Sequence, residues 1–204
     1  RIGVEPQEAE PGPGDGAEED AQLAGPRHVG DQQVLGIHRV TGDVGDQCKG
    51  GPGWAFRNSG VMIHSESPEM MEVEQDFPTS LEVQILGGTG KGERTTGNLC
   101  TPGTHVEMNG KLETAHCITS HSKTFNGDQW VSLEIEVHGN KLIRHLINGE
   151  EVISYSKPQY GGDKHADALA AAAGDKMISE GFFCLQSESH PVEFRKIEIQ
   201  QIKE

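Results

Sequence analysis

"GDQWVSLEIEVHGNKLIRHLINGEEVISYS", residues 127–156, decides the fold class. Val131, Leu133, Ile135 and Val137 fall on one face of this segment, with Glu134 and Glu136 on the other. A period of two belongs to a strand that buries one side and shows the other to solvent. The second half, "GNKLIRHLINGEEVISYS", reads as two strands joined at Asn148-Gly149. Asn-Gly supplies the two positive φ angles that a tight hairpin turn needs, so the pair must be antiparallel.

Working outward, "TSLEVQILG" (79–87) repeats the alternation, with Leu81, Val83 and Ile85 against Glu82 and Gln84. "FRNSGVMIH" (56–64), "EGFFCLQSES" (180–189) and "VEFRKIEIQQI" (192–202) add three further strands. Between the hairpin and the last two lies "ADALAAAAG" (166–174), whose alanines favour a short helix near 165–174, placed at the rim. Strands at this spacing with Gly- and Asn-rich turns predict an all-β, antiparallel two-sheet sandwich.

The front of the chain has a different texture. Twelve of the 27 glycines lie in residues 1–53, while every Phe, Trp and Tyr lies at or after Trp54. "EPQEAEPGPGDGAEED" (5–20) has the composition of a disordered or linker segment. "VGDQQVLGIHRVTGDVGDQ" (29–47) shows neither alternation nor a helical stripe. The expectation is a poorly ordered segment over 1–44 and a sandwich domain over 45–204. Trp54 and Phe56 read as core or rim aromatics at the point where the domain begins.

A formal net charge of −15 repels nucleic acid and anionic lipid, which excludes both as partners. No signal-peptide pattern is visible, and no apolar run approaches the roughly 18–20 residues of a membrane span. Four cysteines, Cys48, Cys100, Cys117 and Cys184, form no CxxC pair. Cys100 and Cys117 flank a loop-like stretch and suit either a disulfide or two buried thiols. HExxH, GxSxG and dinucleotide fingerprints are absent. "GGTGKG" (87–92) lacks the GK[ST] spacing of a phosphate loop and reads as a rim loop.

Three polar clusters sit on the predicted strands. Glu82 and Gln84 share the face opposite the core residues. That face is either solvated or the floor of a groove, where a carboxylate and an amide can bond vicinal hydroxyls. Asn58, Gly60, Met62 and His64 share a parity, Gly60 leaving room for a ligand, and Arg57 precedes them. Gln186, Glu188 and His190 share a parity at a strand end. A carboxylate beside an imidazole suits general acid–base work or a divalent cation, and equally a polar turn before Pro191.

The blocks "NSGVMIH", "LEVQILGG", "TGNLCTPGT", "GDQWVSLEIEVHGNKLIRHLINGEEV" and "GFFCLQSESHPVEFRKIEI" together resemble the 3-keto-disaccharide hydrolase domain family over roughly 55–202. The resemblance implies a concanavalin A-like jelly roll and hydrolysis of the glycosidic bond of a 3-keto-glycoside, by elimination and rehydration. It implies a carbohydrate substrate, a bacterial source and a periplasmic or extracellular location. On that chemistry Glu82 and Glu188 are the acid–base candidates, and His64 and His190 their partners or metal ligands. Arg57, Asn58, Gln84 and Gln186 are the candidates for holding hydroxyls or the keto oxygen. The resemblance implies no certain cofactor, and a divalent cation is compatible with this chemistry. The alternatives are a non-catalytic sugar-binding module, since one sandwich serves many functions, and an inactive truncated copy.

This chain departs from the family at His64, where many members carry Arg, and at "SES" (187–189), where many carry a His-Gly pair after the LQ. It departs most at the front. Residues 1–44 show none of the strands with which the family opens, an abrupt change of the kind a shifted reading frame or a replaced terminus produces. A sandwich without those strands exposes sheet edges, which predicts low stability for the isolated chain.

Overall fold

The computed structural model describes residues 32–40 and 46–202. In chain order the described strands are β1 (Gln32–Val40), β2 (Asn58–Ser65), β3 (Leu81–Leu86), β4 (Asn98–Cys100), β5 (Thr104–Met108) and β6 (Lys111–Glu113). They continue with β7 (Cys117–Ile118), β8 (Val131–His138), β9 (Leu142–Ile147) and β10 (Glu150–Tyr160), then helix α1 (Lys164–Ala173), β11 (Phe182–Glu188) and β12 (Val192–Gln201). They build two antiparallel sheets, one ordered β12-β1-β8-β9-β10-β5-β6 and the other β11-β2-β3-β4-β7.

The hairpin forms at Asn148-Gly149, with φ of 52° and 80°, joining β9 to β10. Alternation on β8 buries Val131, Leu133, Ile135 and Val137 and leaves the residues between them half-exposed. These four face Val61, Ile63, Leu81, Val83, Ile85 and Leu99 of the second sheet across the core. Each such side chain, once buried, contributes roughly 1.5–3 kcal/mol. His145 is the polar member of this layer. It is fully buried yet satisfied, with Nδ1 2.9 Å from the Gly97 carbonyl and Nε2 2.8 Å from the Tyr155 hydroxyl.

The predicted helix spans Lys164–Ala173. Asp163 caps its start, its carboxylate accepting from the Ala166 amide at 2.8 Å, and Gly174 ends it with φ 72°. A second Asn-Gly turn, Asn109-Gly110, joins β5 to β6 with φ of 51° and 74°.

The front of the chain corrects the sequence reading. Residues 32–40, expected to carry no structure, form a strand between β8 and β12, antiparallel to both. The sequence reading expects exposed sheet edges here; β1 instead pairs with both β8 and β12. Gly36 and His38 interrupt the apolar pattern, which hid the strand; main-chain bonds on both flanks hold it instead. Side chains reinforce the placement. Two guanidiniums lie over the Trp130 ring, Arg195 at 3.8 Å and Arg39 at 4.8 Å, one from each of β12 and β1. Arg39 also bonds Glu193 of β12 at 2.6 Å. The expectation of disorder for 1–31 and 41–45 lies outside the described residues.

Cys100 and Cys117 face each other across β4 and β7 and are disulfide-bonded. The bond pins the two-residue β7 to its sheet. Closing a loop of sequence separation 17 should contribute about 3 kcal/mol by restricting the unfolded chain. Cys100→Ala/Cys117→Ala should lower the urea midpoint accordingly, and an unchanged midpoint would show that the bond carries no stability. Cys48 is exposed and Cys184 half-buried, and neither is bonded.

Candidate functional site

On the five-stranded sheet the residues alternating with the core set face away from it. Strand register sets them in rows. Glu188 lies opposite Asn58; Gln186, Gly60, Gln84 and Asn98 form the next row; Cys184, Met62, Glu82 and Cys100 form the third. The sequence could show which residues share a strand face, and the register now brings three strands' worth of them together.

Gly60 lies at the centre, and its missing side chain is what lets the cluster close. A Cβ built there would stand 2.8 Å from Glu82 Oε1 and 2.9 Å from Gln186 Oε1. Both distances are shorter than real Cβ contacts, so the carboxyl and the amide occupy the space any side chain would take. Gly60→Ala should displace both groups. The expected result is a rearranged cluster with little loss of stability, since flexible side-chain ends give way.

Hydrogen bonding fixes Glu188. Asn58 Nδ2 donates to its Oε2 at 2.7 Å, and Gln186 Nε2 donates to its Oε1. Asn98 Nδ2 donates to Gln84 Oε1 at 3.1 Å. Three buried acceptors have no donor: Asn58 Oδ1, Glu82 Oε1 and Gln186 Oε1. Asn58 and Glu82 are only 3% and 5% exposed, so water does not freely satisfy them. Burial, and secondarily the charge of Glu188, push the Glu82 carboxyl up to about 8. Burial also raises Glu188, and the bond from Gln186 opposes that shift. The face therefore pairs a carboxyl that stays protonated at neutral pH with a more exposed one that accepts two amide bonds. Burial raises both carboxyl groups, and the amide bonds to Glu188 favour its ionised form.

A cavity of about 410 Å³ adjoins this face, lined by Gln84, Asn98, Arg94, Thr95 and Thr119 among others. Arg94 is braced there by a 2.7 Å bond to the Gly87 carbonyl. Asn98 and Arg94 went unremarked in the sequence. "TGN" ahead of a short strand was the available signal for Asn98, and Arg94 in a Gly-rich loop offered none.

Three of the predicted site residues lie elsewhere. Arg57 turns away from Asn58 and donates to the Val40 carbonyl at 2.7 Å and the Gly127 carbonyl at 2.9 Å, tying the end of β1 to the segment before β8. His64 reaches the β8–β9 turn, its Nε2 3.2 Å from the Gly139 carbonyl, and burial lowers its pKa. His190 is buried edge-to-face against Phe56, with ring centroids 5.0 Å apart. Trp54 is exposed on the rim. Among the described residues no three His, Cys, Asp or Glu side chains are grouped so as to hold a metal ion. No described helix is long and apolar enough to cross a membrane.

Among solved structures, the carbohydrate-binding module CBM66 from Bacillus subtilis is similar at 11% identity and a TM-score of 0.47, covering 86% of this chain and 78% of that one. Galectin LEC-6 of Caenorhabditis elegans is similar at 10% identity and a TM-score of 0.39, covering 87% and 92%. A search of curated protein sequences returns no match. Residues 41–200 match the model of the family described as the 3-keto-alpha-glucoside-1,2-lyase-like domain, and the chain belongs to that family.

Proposed function

We propose that the chain cleaves the glycosidic bond of a 3-keto-glycoside on the outer face of the five-stranded sheet. The observation that carries this reading is the convergence of Glu82, Glu188 and Gln186 around Gly60, with three buried acceptors awaiting hydroxyl donors. A sugar supplies such donors in a dense array. Family membership supports the substrate class.

The ketone at C3 acidifies the hydrogen at C2. Glu188, as carboxylate, takes that proton, and the C2–H electron pair becomes the C1=C2 double bond. The C1–O bond breaks, and the Glu82 carboxyl gives its proton to the departing oxygen. Addition of water reverses the pattern: Glu82 takes a proton from water as its oxygen bonds to C1, and Glu188 returns the proton to C2. Each transfer by a positioned acid or base is worth about 10²–10⁴-fold. Asn58 and Gln186 hold Glu188 in place and offer their free carbonyl oxygens to hydroxyls.

Release of aglycone from a 3-keto-glucoside, compared with the parent glucoside, tests the reading. Cleavage should occur with the ketone and fail with the C3 hydroxyl. Saturable binding of either sugar with no cleavage would leave a carbohydrate-binding module instead.

A further inference from the structure

The cavity of about 410 Å³ beside the candidate site is lined by the last two residues of the row Gln186, Gly60, Gln84 and Asn98. Neighbouring strands stand about 4.8 Å apart, so Gln84 lies one strand, and Asn98 two strands, from the gap over Gly60. A group attached to C1 of a sugar lying over Gly60 reaches the cavity across that span. Leu86 and Ile118 give the lining apolar surface, and Arg94 gives it a cation.

The polar lining presents donors. Asn98 Oδ1 accepts from the Ser120 amide at 2.9 Å and from Thr95 Oγ1 at 2.7 Å, which orients its amide so that Nδ2 donates to Gln84 Oε1. Gln84 Nε2 is then the open end of that chain, and it donates to no described residue. Arg94 is half-buried. Among the described residues its guanidinium donates only to the Gly87 carbonyl, and no carboxylate lies within 4 Å of it. Glu93 is the one acid of the lining, is exposed, and does not pair with it. Burial, and secondarily the charge of Arg57, disfavours the Arg94 cation. Main-chain bonds hold its loop in place: the Gly88 amide donates to the Phe125 carbonyl at 2.7 Å, the Gly90 amide to Asn126 Oδ1 at 2.8 Å, and the Arg94 amide to Thr124 Oγ1 at 2.7 Å.

A fixed, half-buried cation without a counter-charge is costly until an anion meets it. The remaining N–H groups of Arg94 suit the oxygens of a carboxylate, and Gln84 Nε2 adds a donor beside them. We infer that this cavity is a leaving-group subsite for an acidic aglycone, whose carboxylate pairs with Arg94. The inference rests on the reading that the reacting sugar lies over Gly60, and it adds the class of glycoside that this reading leaves open.

Isothermal titration with 4-carboxyphenyl glucoside and its neutral isostere 4-carbamoylphenyl glucoside, neither carrying the C3 ketone, tests the subsite without turnover. At near-neutral pH and low salt the carboxylate should bind at least about tenfold tighter, and the preference should fade at about 1 M salt. Arg94→Gln should remove the preference, and Arg94→Lys, which keeps the charge, should retain part of it. Equal binding of the two glucosides, no binding of the carboxylate, or a preference that survives in Arg94→Gln would each overturn the inference. Aglycone release from the corresponding 3-keto-glucosides reports the reaction separately. Release of both aglycones with equal binding keeps the reaction and loses the subsite; a carboxylate preference without release does the reverse.

Discussion

Glu82→Gln should abolish cleavage of a 3-keto-glucoside and at the same time make the protein more stable at alkaline pH. The first effect follows from removing the proposed proton donor, worth about 10²–10⁴-fold in turnover. The second follows from linkage. The folded Glu82 carboxyl keeps its proton up to about pH 8, whereas in the unfolded chain it ionises near its ordinary value of 4.5. The unfolded state therefore releases a proton that the folded state retains, and folding stability declines as pH rises from 4.5 to 8. A shift of this size corresponds to roughly 5 kcal/mol at most. Glutamine has the same shape and cannot ionise, so the variant escapes the penalty. Urea unfolding at pH 8.5 should show a raised midpoint in Glu82→Gln; a lowered midpoint would mean that Glu82 is held as a stabilised anion.

Acid should destabilise the same protein by an independent route. Burial lowers both His38 and His145 from 6.5 to about 4. Both are neutral in the fold and protonate near 6.5 once unfolded. Their contribution is complete above pH 6.5 and is lost as pH falls towards 4, by about 3 kcal/mol for each group. Against a typical net stability of about 5–15 kcal/mol this is a large share. With the Glu82 penalty on the alkaline side, stability should peak between these limits, in the range of about pH 5–7. His38→Leu should remove one of the two acid contributions. His38 is buried beside Val61, Leu133, Phe183 and Phe194, and its Nδ1 has no partner, so an aliphatic side chain suits the site better. Urea midpoints from pH 4 to 7 in wild type and His38→Leu measure this directly. Parallel curves would rule out His38 as a source of acid lability.

Much of the sandwich was legible because its central strands obey simple alternation. Val131 to Val137, Leu81 to Ile85 and the Asn148-Gly149 turn each carry a local signal strong enough to stand alone. The helix was legible for the same reason, from its alanines. What escaped was structure held by neighbours rather than by its own pattern. β1, with Gly36 and His38 in its middle, is a strand because β8 and β12 bond it on both sides. β7 is two residues long and rests on the Cys100–Cys117 bond. The β5–β6 hairpin did carry an Asn-Gly signal, but its strands are short and polar, from Thr104 to Glu113.

The site divides in a similar way. Parity along a strand placed Glu82 with Gln84, Asn58 with Gly60, and Gln186 with Glu188, all of which meet on one face. Parity also placed His64 with Asn58 and His190 with Glu188, and there it failed. His64 has φ 49° and Ser189 has φ 57°, so the backbone leaves the extended form at both points and the alternation ends. Arg57, also at φ 49°, turns aside for the same reason. No local pattern announces such a residue unless it is glycine or a turn asparagine.

Exchange of the C2 hydrogen of a 3-keto-glucoside in D₂O, followed by NMR, bears most directly on Glu188 as the base of this face. Wild-type protein should wash deuterium into C2 during turnover, and Glu188→Gln should slow that exchange by at least about a hundredfold while remaining folded. Exchange at the wild-type rate in Glu188→Gln would contradict the account.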